Sequence, residues 1–239
     1  VQERLQRLED QVRSDKVMVA FVAEFSRGKS ELINAIFFAE YGRRIMPASA
    51  GRTTMCPTEL GYDHDVEPSL RLLPIDTRLQ PQGLAEWRLR PSAWKHIALD
   101  VEVADQIGKA LEMVSQVRRV TVEQARALGF WHEELPEDNP VPDAQGLVEV
   151  PQWRHALINM PHPLLKQGLV ILDTPGLNAV GAEPDLTVSL IPQAHAVVFI
   201  LAADTGVTRS DLAIWREHLA VPGGGAGQAR WVALNKIDT

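Results

Sequence analysis

Three short motifs contain the residues whose types and spacing could perform phosphate and base chemistry. They are AEFSRGKS at 23–30, DTPG at 173–176 and NKID at 235–238, and each lies at the end of an apolar run. The first is suited to holding phosphates, the second to holding a metal ion beside the terminal phosphate, and the third to recognising a base edge. Together and in this order they predict a pocket that binds GTP and hydrolyses it.

The first motif is interpreted as a phosphate loop, in which backbone N–H groups at a helix N-terminus point at the nucleotide. Gly28 permits close approach of the backbone, the Lys29 ammonium reaches the outer phosphates, and the Ser30 hydroxyl binds Mg²⁺. The motif has Ala23 where the usual pattern has glycine. The residues expected to surround the nucleotide here are Glu24, Phe25, Ser26, Arg27, Gly28, Lys29 and Ser30.

The other two motifs supply the metal and base contacts. Asp173 ends an apolar run and is expected to hold Mg²⁺, directly or through water, while the N–H of Gly176 can meet the γ-phosphate. The Asp238 carboxylate can accept two hydrogen bonds from guanine, whereas adenine lacks that pair of donors. Asn235 can bond the other edge of the base, and the Lys236 stem can pack on its ring. These residues predict a preference for guanine nucleotides.

A threonine that senses the metal ion is also required between the first two motifs. Thr53, Thr54 and Thr58 all lie in GRTTMCPTEL at 51–60. Spacing alone does not choose among them. On this interpretation two of the three are ordinary loop residues, and the third is a metal ligand.

The apolar runs that carry the motifs predict buried parallel strands. They span 17–23, 168–174, 194–202 and 230–235, and helical patterns at 31–42 and 210–219 lie between them. Alternating strands and helices predict an α/β fold, a P-loop NTPase with a doubly wound, mostly parallel sheet. Either Thr208 or Ser210 is expected to cap the later helix.

The chain is interpreted as a short N-terminal element followed by one nucleotide-binding domain. Apolar residues at spacings of four, three and four predict an amphipathic helix at 1–15. Residues 16–239 are expected to form a GTPase domain that is incomplete at its C-terminus, because the chain stops one residue after NKID. Residues at about 75–150 are expected to be a helical insertion, with loops at 78–91 and 136–146, a helix at 104–120 and a capping box at Thr121 and Gln124.

Composition narrows the class of protein. The net charge of -7 argues against a nucleic-acid-binding surface, which would be basic. The single cysteine, Cys56, cannot form an internal disulfide, which favours a reducing, cytoplasmic compartment. No apolar run reaches the roughly 18 residues that a membrane-spanning helix needs.

The chain resembles the dynamin superfamily of large GTPases, and especially bacterial dynamin-like proteins. The resemblance rests on EFSRGKSELINAIF, the T-x-x-P in TTMCP, DTPGLN, the SDL within DTGVTRSDLAIW, and NKID. It places the metal-sensing threonine at Thr54, which would act in catalysis and as a metal ligand. It also implies a charge-compensating monovalent cation near Ser26, as some members of the family bind one there.

Two positions of the phosphate loop raise questions about catalysis. Phe25 stands where the family often has a glutamine that positions the catalytic water, and phenylalanine cannot do so. Arg27 could neutralise transition-state charge in cis, as an arginine finger does. The alternative for Arg27 is a solvated loop arginine or a salt bridge to Glu24.

The resemblance implies a motor domain that binds and hydrolyses GTP with Mg²⁺ and remodels membranes. It further implies a homodimer across the nucleotide face that stimulates turnover, a neck helix at 1–15, and lipid contacts made by parts absent from this chain. The location would be cytoplasmic or peripheral at the inner face of a membrane. One alternative is a regulatory GTPase of the ribosome-assembly or tRNA-modification type, against which the pI of 5.5 counts. The other is a GTP-binding scaffold with little turnover, which Phe25 favours.

Overall fold

A computed structural model of the chain describes residues 16–24, 26–42, 44–46, 56–134, 136, 139–175, 190–220 and 228–237. Within these residues one sheet of eight strands forms the centre of the fold, and a second sheet has two strands. In chain order the strands are β1 Val17–Ala23, β2 Thr58–Gly61, β3 Ser69–Pro74, β4 Lys95–Ala98, β5 Val117–Thr121, β6 Leu147–Pro151, β7 Trp153–Asn159, β8 Leu169–Asp173, β9 Ala196–Ala202 and β10 Ala229–Asn235.

The large sheet has the order β10-β9-β1-β8-β2-β7-β3-β4. Strands β10, β9, β1 and β8 are parallel to one another, and β2 is parallel to β7. The pairs β2–β8, β3–β7 and β3–β4 are antiparallel. The predicted α/β class with a mostly parallel sheet is therefore confirmed, and its parallel half contains every strand that carries a motif.

The helices lie between the strands, as the alternating pattern predicts. They are α1 Lys29–Phe37, α2 Leu84–Arg88, α3 Ala104–Glu112, α4 Val122–Ala127, α5 Pro163–Lys166, α6 Ile191–Gln193 and α7 Arg209–Ile214. The chain after α7 continues as a π-helical turn over Trp215–Leu219. Thr208, and not Ser210, caps α7, because its hydroxyl accepts a hydrogen bond from the backbone N–H of Asp211.

Strands β1, β8 and β9 bury side chains on both faces, which explains their continuous apolar sequences. The prediction of a buried strand is wrong for β10, because β10 lies at the edge of the sheet and leaves Trp231, Val232 and Leu234 exposed. Along β8, Ile171 belongs to one core and Leu172 to the other, as the two-residue period of a strand requires. The first core includes Ile33 and Phe37 of α1, and the second includes Ile214 of α7. Because α1 and α7 are packed on opposite faces, their N-termini are held in place beside the motif loops.

The predicted insertion is not wholly helical. The helix expected at 104–120 ends with α3 at Glu112, and a 3-10 turn over Met113–Ser115 leads into β5. A strand forms here instead of the expected helix because β5 pairs with β6 and buries Val120 beside Val148. The expected loop at 78–91 contains the short helix α2, whereas the capping box that begins α4 is confirmed.

Two further predictions concern an N-terminal helix and membrane-spanning helices. The helix expected at 1–15 lies outside the described residues. Within the part of the chain that the structure describes, no helix combines the length and the apolar character that crossing a bilayer requires.

Candidate nucleotide site

The motif loops meet at one edge of the sheet because their strands are parallel neighbours. Strand β1 lies between β8 and β9, and Phe21 of β1 is level with Asp173 at the end of β8. Strand β10 lies beside β9, with Asn235 level with Ala202. The carboxyl ends of parallel strands are where ligands bind in open α/β sheets. The structure therefore brings the first, second and third motifs to a single site.

The backbone of the phosphate loop has the sharp turns that a cradle needs. Ser26 has φ 65 and Gly28 has φ 81, both in the left-handed region. Helix α1 begins at Lys29, directly after Gly28, so its first N–H groups face the loop. A Cβ atom at position 28 would lie 2.3 Å from Nδ2 of Asn235, so only glycine fits this close approach.

Lys29 and Asp173 form a buried ion pair. The Lys29 Nζ donates to Oδ1 of Asp173, and the two side chains are 11% and 5% exposed. The other carboxylate oxygen, Oδ2, is buried and has no hydrogen-bond partner among the described residues. A buried carboxylate oxygen without a partner costs free energy unless a donor or a cation reaches it.

Asn34 is a site residue that the sequence analysis missed. Its Nδ2 donates to the carbonyl oxygens of Ser30 at 2.9 Å and Met46 at 3.0 Å, and its Oδ1 accepts from the N–H groups of Ile45 and Met46. Asn34 thus holds residues 45–46 against helix α1. These residues precede the candidate threonines in the chain. A buried amide within the apolar face of a predicted helix is the signal that could have revealed it.

Arg27 is buried and points away from solvent, with only 4% of its surface exposed. Its guanidinium is ion-paired with Glu24 and also with Asp211, the latter at 2.8 Å. It donates in addition to the hydroxyls of Thr205 and Thr208. The salt bridge to Glu24, which the sequence left open as an alternative to catalysis, is therefore present.

Asp211 is the most buried partner of Arg27, with 1% of its surface exposed. Its Oδ2 also accepts hydrogen bonds from the backbone N–H and the hydroxyl of Thr208, both at 2.9 Å. The sequence placed Asp211 only in the SDL of the family resemblance. The capping role is readable from the Thr-x-x-Asp spacing, but the ion pair spans 184 residues and is not.

The third motif contacts the first directly. Nδ2 of Asn235 donates to the backbone carbonyl of Arg27 at 3.0 Å. Lys236 has φ 55, and its Nζ lies 3.0 Å from Oδ2 of Asp204 in the loop between β9 and α7. The hydrogen bond from Lys236 holds the pKa of Asp204 below its ordinary value.

Some of the remaining predicted residues are described by the structure, and the others lie outside its described part. Thr58 lies in β2, is 1% exposed, and donates its hydroxyl proton to the carbonyl of Cys56 at 3.2 Å. Glu24, Ser26 and Ser30 lie in the loop and at the start of α1 as expected. Four predicted residues and one alternative lie outside the described residues, namely Phe25, Thr53, Thr54, Gly176 and Asp238.

Comparison with known proteins gives one family and a structural likeness. Residues 19–223 match the sequence profile of the dynamin family. A solved structure of an oligomerised bacterial dynamin pair, described as a mechanism for long-range sensing and tethering of membranes, has a TM-score of 0.50 and 22% identity over 98% of this chain. A second structure under the same description has a TM-score of 0.45 and 14% identity over 90% of this chain and 27% of that one. No curated protein matches.

At 22% identity the first structure supports the fold alone. The chain spans 28% of the length of that protein, so most of the relative has no counterpart here.

Proposed function

The chain belongs to the dynamin family, and on that premise we propose that it binds GTP with Mg²⁺ at the edge formed by β1, β8 and β10, as the motor domain of a membrane-remodelling protein. Membership makes the chain a GTPase, whose reaction turns GTP and water into GDP and phosphate. It also separates the chain from the ribosome-assembly and tRNA-modification class that the three motifs alone left open. The proposal concerns which residues bind and hydrolyse GTP and what the hydrolysis serves.

One observation carries the proposal, which is that Lys29, Asp173 and Asn235 meet at one edge although they are far apart in sequence. Lys29 contacts Asp173, and Asn235 contacts the phosphate loop at Arg27. An ammonium, a carboxylate and an amide thereby lie around one loop. A guanine nucleotide with its metal ion would use all three groups, through its phosphates, its metal and its base.

The residues at this edge fit Mg²⁺. Asp173 offers a buried carboxylate oxygen without a partner among the described residues, and Ser30 offers a hydroxyl at the first turn of α1. Oxygen ligands of this kind, together with phosphate oxygens and water, are what Mg²⁺ prefers. When bound, the ion would neutralise charge that develops on the phosphate oxygens. We assign Ser30, Asp173 and Thr54 to it.

The chain's own residues hold and orient the phosphates. The Lys29 ammonium leaves Asp173 for the outer phosphates, while the N–H groups after Gly28 hold the phosphate oxygens. Thr54 and the N–H of Gly176 are proposed to contact the γ-phosphate side of the site. Thr58 is a poor candidate for the metal, because its hydroxyl proton is already donated to the carbonyl of Cys56.

Guanine preference is assigned to the third motif. Asp238 accepts from the two adjacent donors of guanine, Asn235 bonds the other edge, and the Lys236 stem lies along the ring. A monovalent cation near Ser26 remains part of the proposal on the strength of the resemblance alone.

Two further parts of the proposal concern assembly. The solved structure is described as an oligomerised pair that senses and tethers membranes, and by analogy we propose self-association and action at a membrane. The homodimer across the nucleotide face is proposed on the family resemblance alone. Lipid contacts would come from parts outside this chain, and the protein would be peripheral at the membrane surface. No role for nucleic acid is proposed, in keeping with the net charge of -7.

Calorimetric titration of GTP, ATP and xanthosine triphosphate into the parent protein and Asp238→Asn tests the site. The parent should prefer GTP over ATP, and Asp238→Asn should bind GTP at least about tenfold more weakly while it gains relative affinity for the xanthine nucleotide. Asp65→Asn, at an exposed carboxylate, is the matched control. Equal affinity of the parent for GTP and ATP would overturn the assignment.

A further inference from the structure

The side chain and the backbone of Arg27 contact different elements of the fold. Its guanidinium donates to Thr205 in the loop between β9 and α7, and is ion-paired at 2.8 Å with Asp211 in α7. Its backbone carbonyl accepts from Asn235 at the end of β10, at 3.0 Å. One residue of the phosphate loop thus contacts both neighbouring elements.

Those two neighbouring elements also contact each other. Asp204, which precedes Thr205, pairs with Lys236 at 3.0 Å, and Lys236 follows Asn235. The contacts close into a ring that runs from Arg27 through Thr205, Asp204, Lys236 and Asn235 back to Arg27. The ring has three contacts that involve side chains and two covalent links, so we expect a displacement of one member to be transmitted to the next.

We propose that Arg27 is a positioning residue, which couples base recognition to phosphate binding through this ring and is held in place by Asp211. The inference rests on the proposed guanine-nucleotide site. When a base contacts Asn235 and Lys236, the ring fixes the carbonyl and side chain of Arg27, and with them the loop that meets the phosphates. An arginine finger would have to leave Thr205, Thr208, Asp211 and Glu24, whose contacts all lie within the protein.

The charges around Arg27 point the same way. One guanidinium faces the carboxylates of Glu24 and Asp211, so Arg27→Met would leave two negative groups beside the loop that receives an anionic nucleotide. Removing Asp211 as well would leave one. A positioning role therefore predicts that Asp211→Asn partly restores GTP affinity to Arg27→Met. A finger role predicts that the turnover number of Arg27→Met is not rescued by Asp211→Asn.

A double-mutant cycle on GTP dissociation constants tests the ring, with turnover at saturating GTP measured beside it. We expect about tenfold weaker binding for Arg27→Met, a severalfold loss for Asp204→Asn, and a combined loss at least about threefold smaller than the product of the two. The turnover number at saturation should change by less than about fivefold. Arg126→Met, which breaks an exposed pair with Glu133, is the matched control.

Two outcomes would overturn the proposal. Losses that multiply would show that the loops are not coupled, and a fall of about a hundredfold in turnover with unchanged binding would make Arg27 catalytic. The parent's preference for GTP over ATP separates either outcome from failure of the proposed site. If Arg27→Met does not fold, Thr205→Val replaces it in the cycle, because Thr205 is exposed and supplies the same link.

Discussion

The ammonium of Lys29 is ion-paired with the carboxylate of Asp173, so the side chain expected to meet the outer phosphates and the one expected to meet the metal ion contact each other. Both side chains are largely buried, with 11% of Lys29 and 5% of Asp173 exposed. In the proposed function, binding of GTP with Mg²⁺ would exchange this pair for phosphate and metal contacts. The pair keeps each charge compensated until that exchange occurs.

Lys29→Ala is expected to weaken GTP binding by at least about a hundredfold, because it removes the cation from the phosphate cradle. It should also lower the free energy of unfolding, since Asp173 would remain as a buried carboxylate without a cation. Calorimetry with GTP and urea unfolding measure the two effects. Asp173→Asn in the same chain should recover stability but not binding, and Lys109→Ala on helix α3, away from the site, is the control. GTP hydrolysis by Lys29→Ala at the parent rate would refute the phosphate-loop assignment.

Gly28→Ala is expected to damage the phosphate loop and the base loop together. The new methyl group would be carried on a backbone with φ 81 and would lie 2.3 Å from Nδ2 of Asn235, so one loop must shift. GTP affinity should fall at least about tenfold, and stability by more than the roughly 1 kcal/mol that a left-handed alanine costs.

Gly42→Ala is a matched control for that substitution. Gly42 has φ 63, with nothing within 4 Å of the point that a methyl group would occupy, so the change carries backbone strain without a collision. It should cost stability alone and leave GTP affinity unchanged. Equal effects of the two alanines on GTP binding would mean that the contact with Asn235 is unimportant.

The motifs were predictable because each depends on residue types at fixed local spacing after an apolar run. That Gly28, Lys29 and Asp173 lie at one site then follows from the arrangement of their strands as parallel neighbours. Asn34 and Asp211 were missed as site residues because their function depends on partners in other elements, and nothing local marks those partners. The strand β5 was mistaken for the end of a helix because the pairing with β6 that stabilises it lies almost thirty residues further along the chain.

The pH dependence of stability should report the buried Glu59, whose carboxylate is ion-paired with Arg88 and lies 2.9 Å from Nε2 of His155. Burial alone would raise the pKa of Glu59, but the charge of Arg88 and the hydrogen bond with His155 outweigh it and lower that pKa to about 2. The unfolded value is about 4.5, so the stabilisation is complete above that pH and is lost as the pH falls towards 2.

Glu59→Gln should therefore lower the free energy of unfolding by on the order of 3 kcal/mol near neutral pH, and by progressively less in acid. Urea unfolding at several pH values, from neutral down through 4.5 and towards 2, measures the difference. Asp76→Asn, which breaks the exposed pair with Arg118, should cost less than about 1 kcal/mol. A difference between parent and Glu59→Gln that stays constant from neutral pH into acid would contradict the assigned pKa.

Thr54→Ala is expected to retain GTP and lose turnover, because the metal and the γ-phosphate lose a contact while the cradle is intact. Thr53→Ala is the neighbouring control and should keep both properties. Thr58→Ala should act on stability, since Thr58 is buried in β2 and its hydroxyl bonds the backbone. Loss of turnover in Thr53→Ala with normal activity in Thr54→Ala would move the metal-sensing role by one residue.

Turnover per molecule is expected to rise with protein concentration. Phe25 cannot orient water, so in the proposed function hydrolysis would depend on Mg²⁺, Thr54 and the loop after Asp173. A second copy placed across the nucleotide face would exclude bulk water and hold these groups in position, which strengthens their electrostatic action on the phosphates. Phosphate release measured over a roughly hundredfold range of concentration, with the dimer fraction followed by sedimentation, tests this. Specific activity that stays flat while the protein passes from monomer to dimer would show that each copy hydrolyses GTP alone.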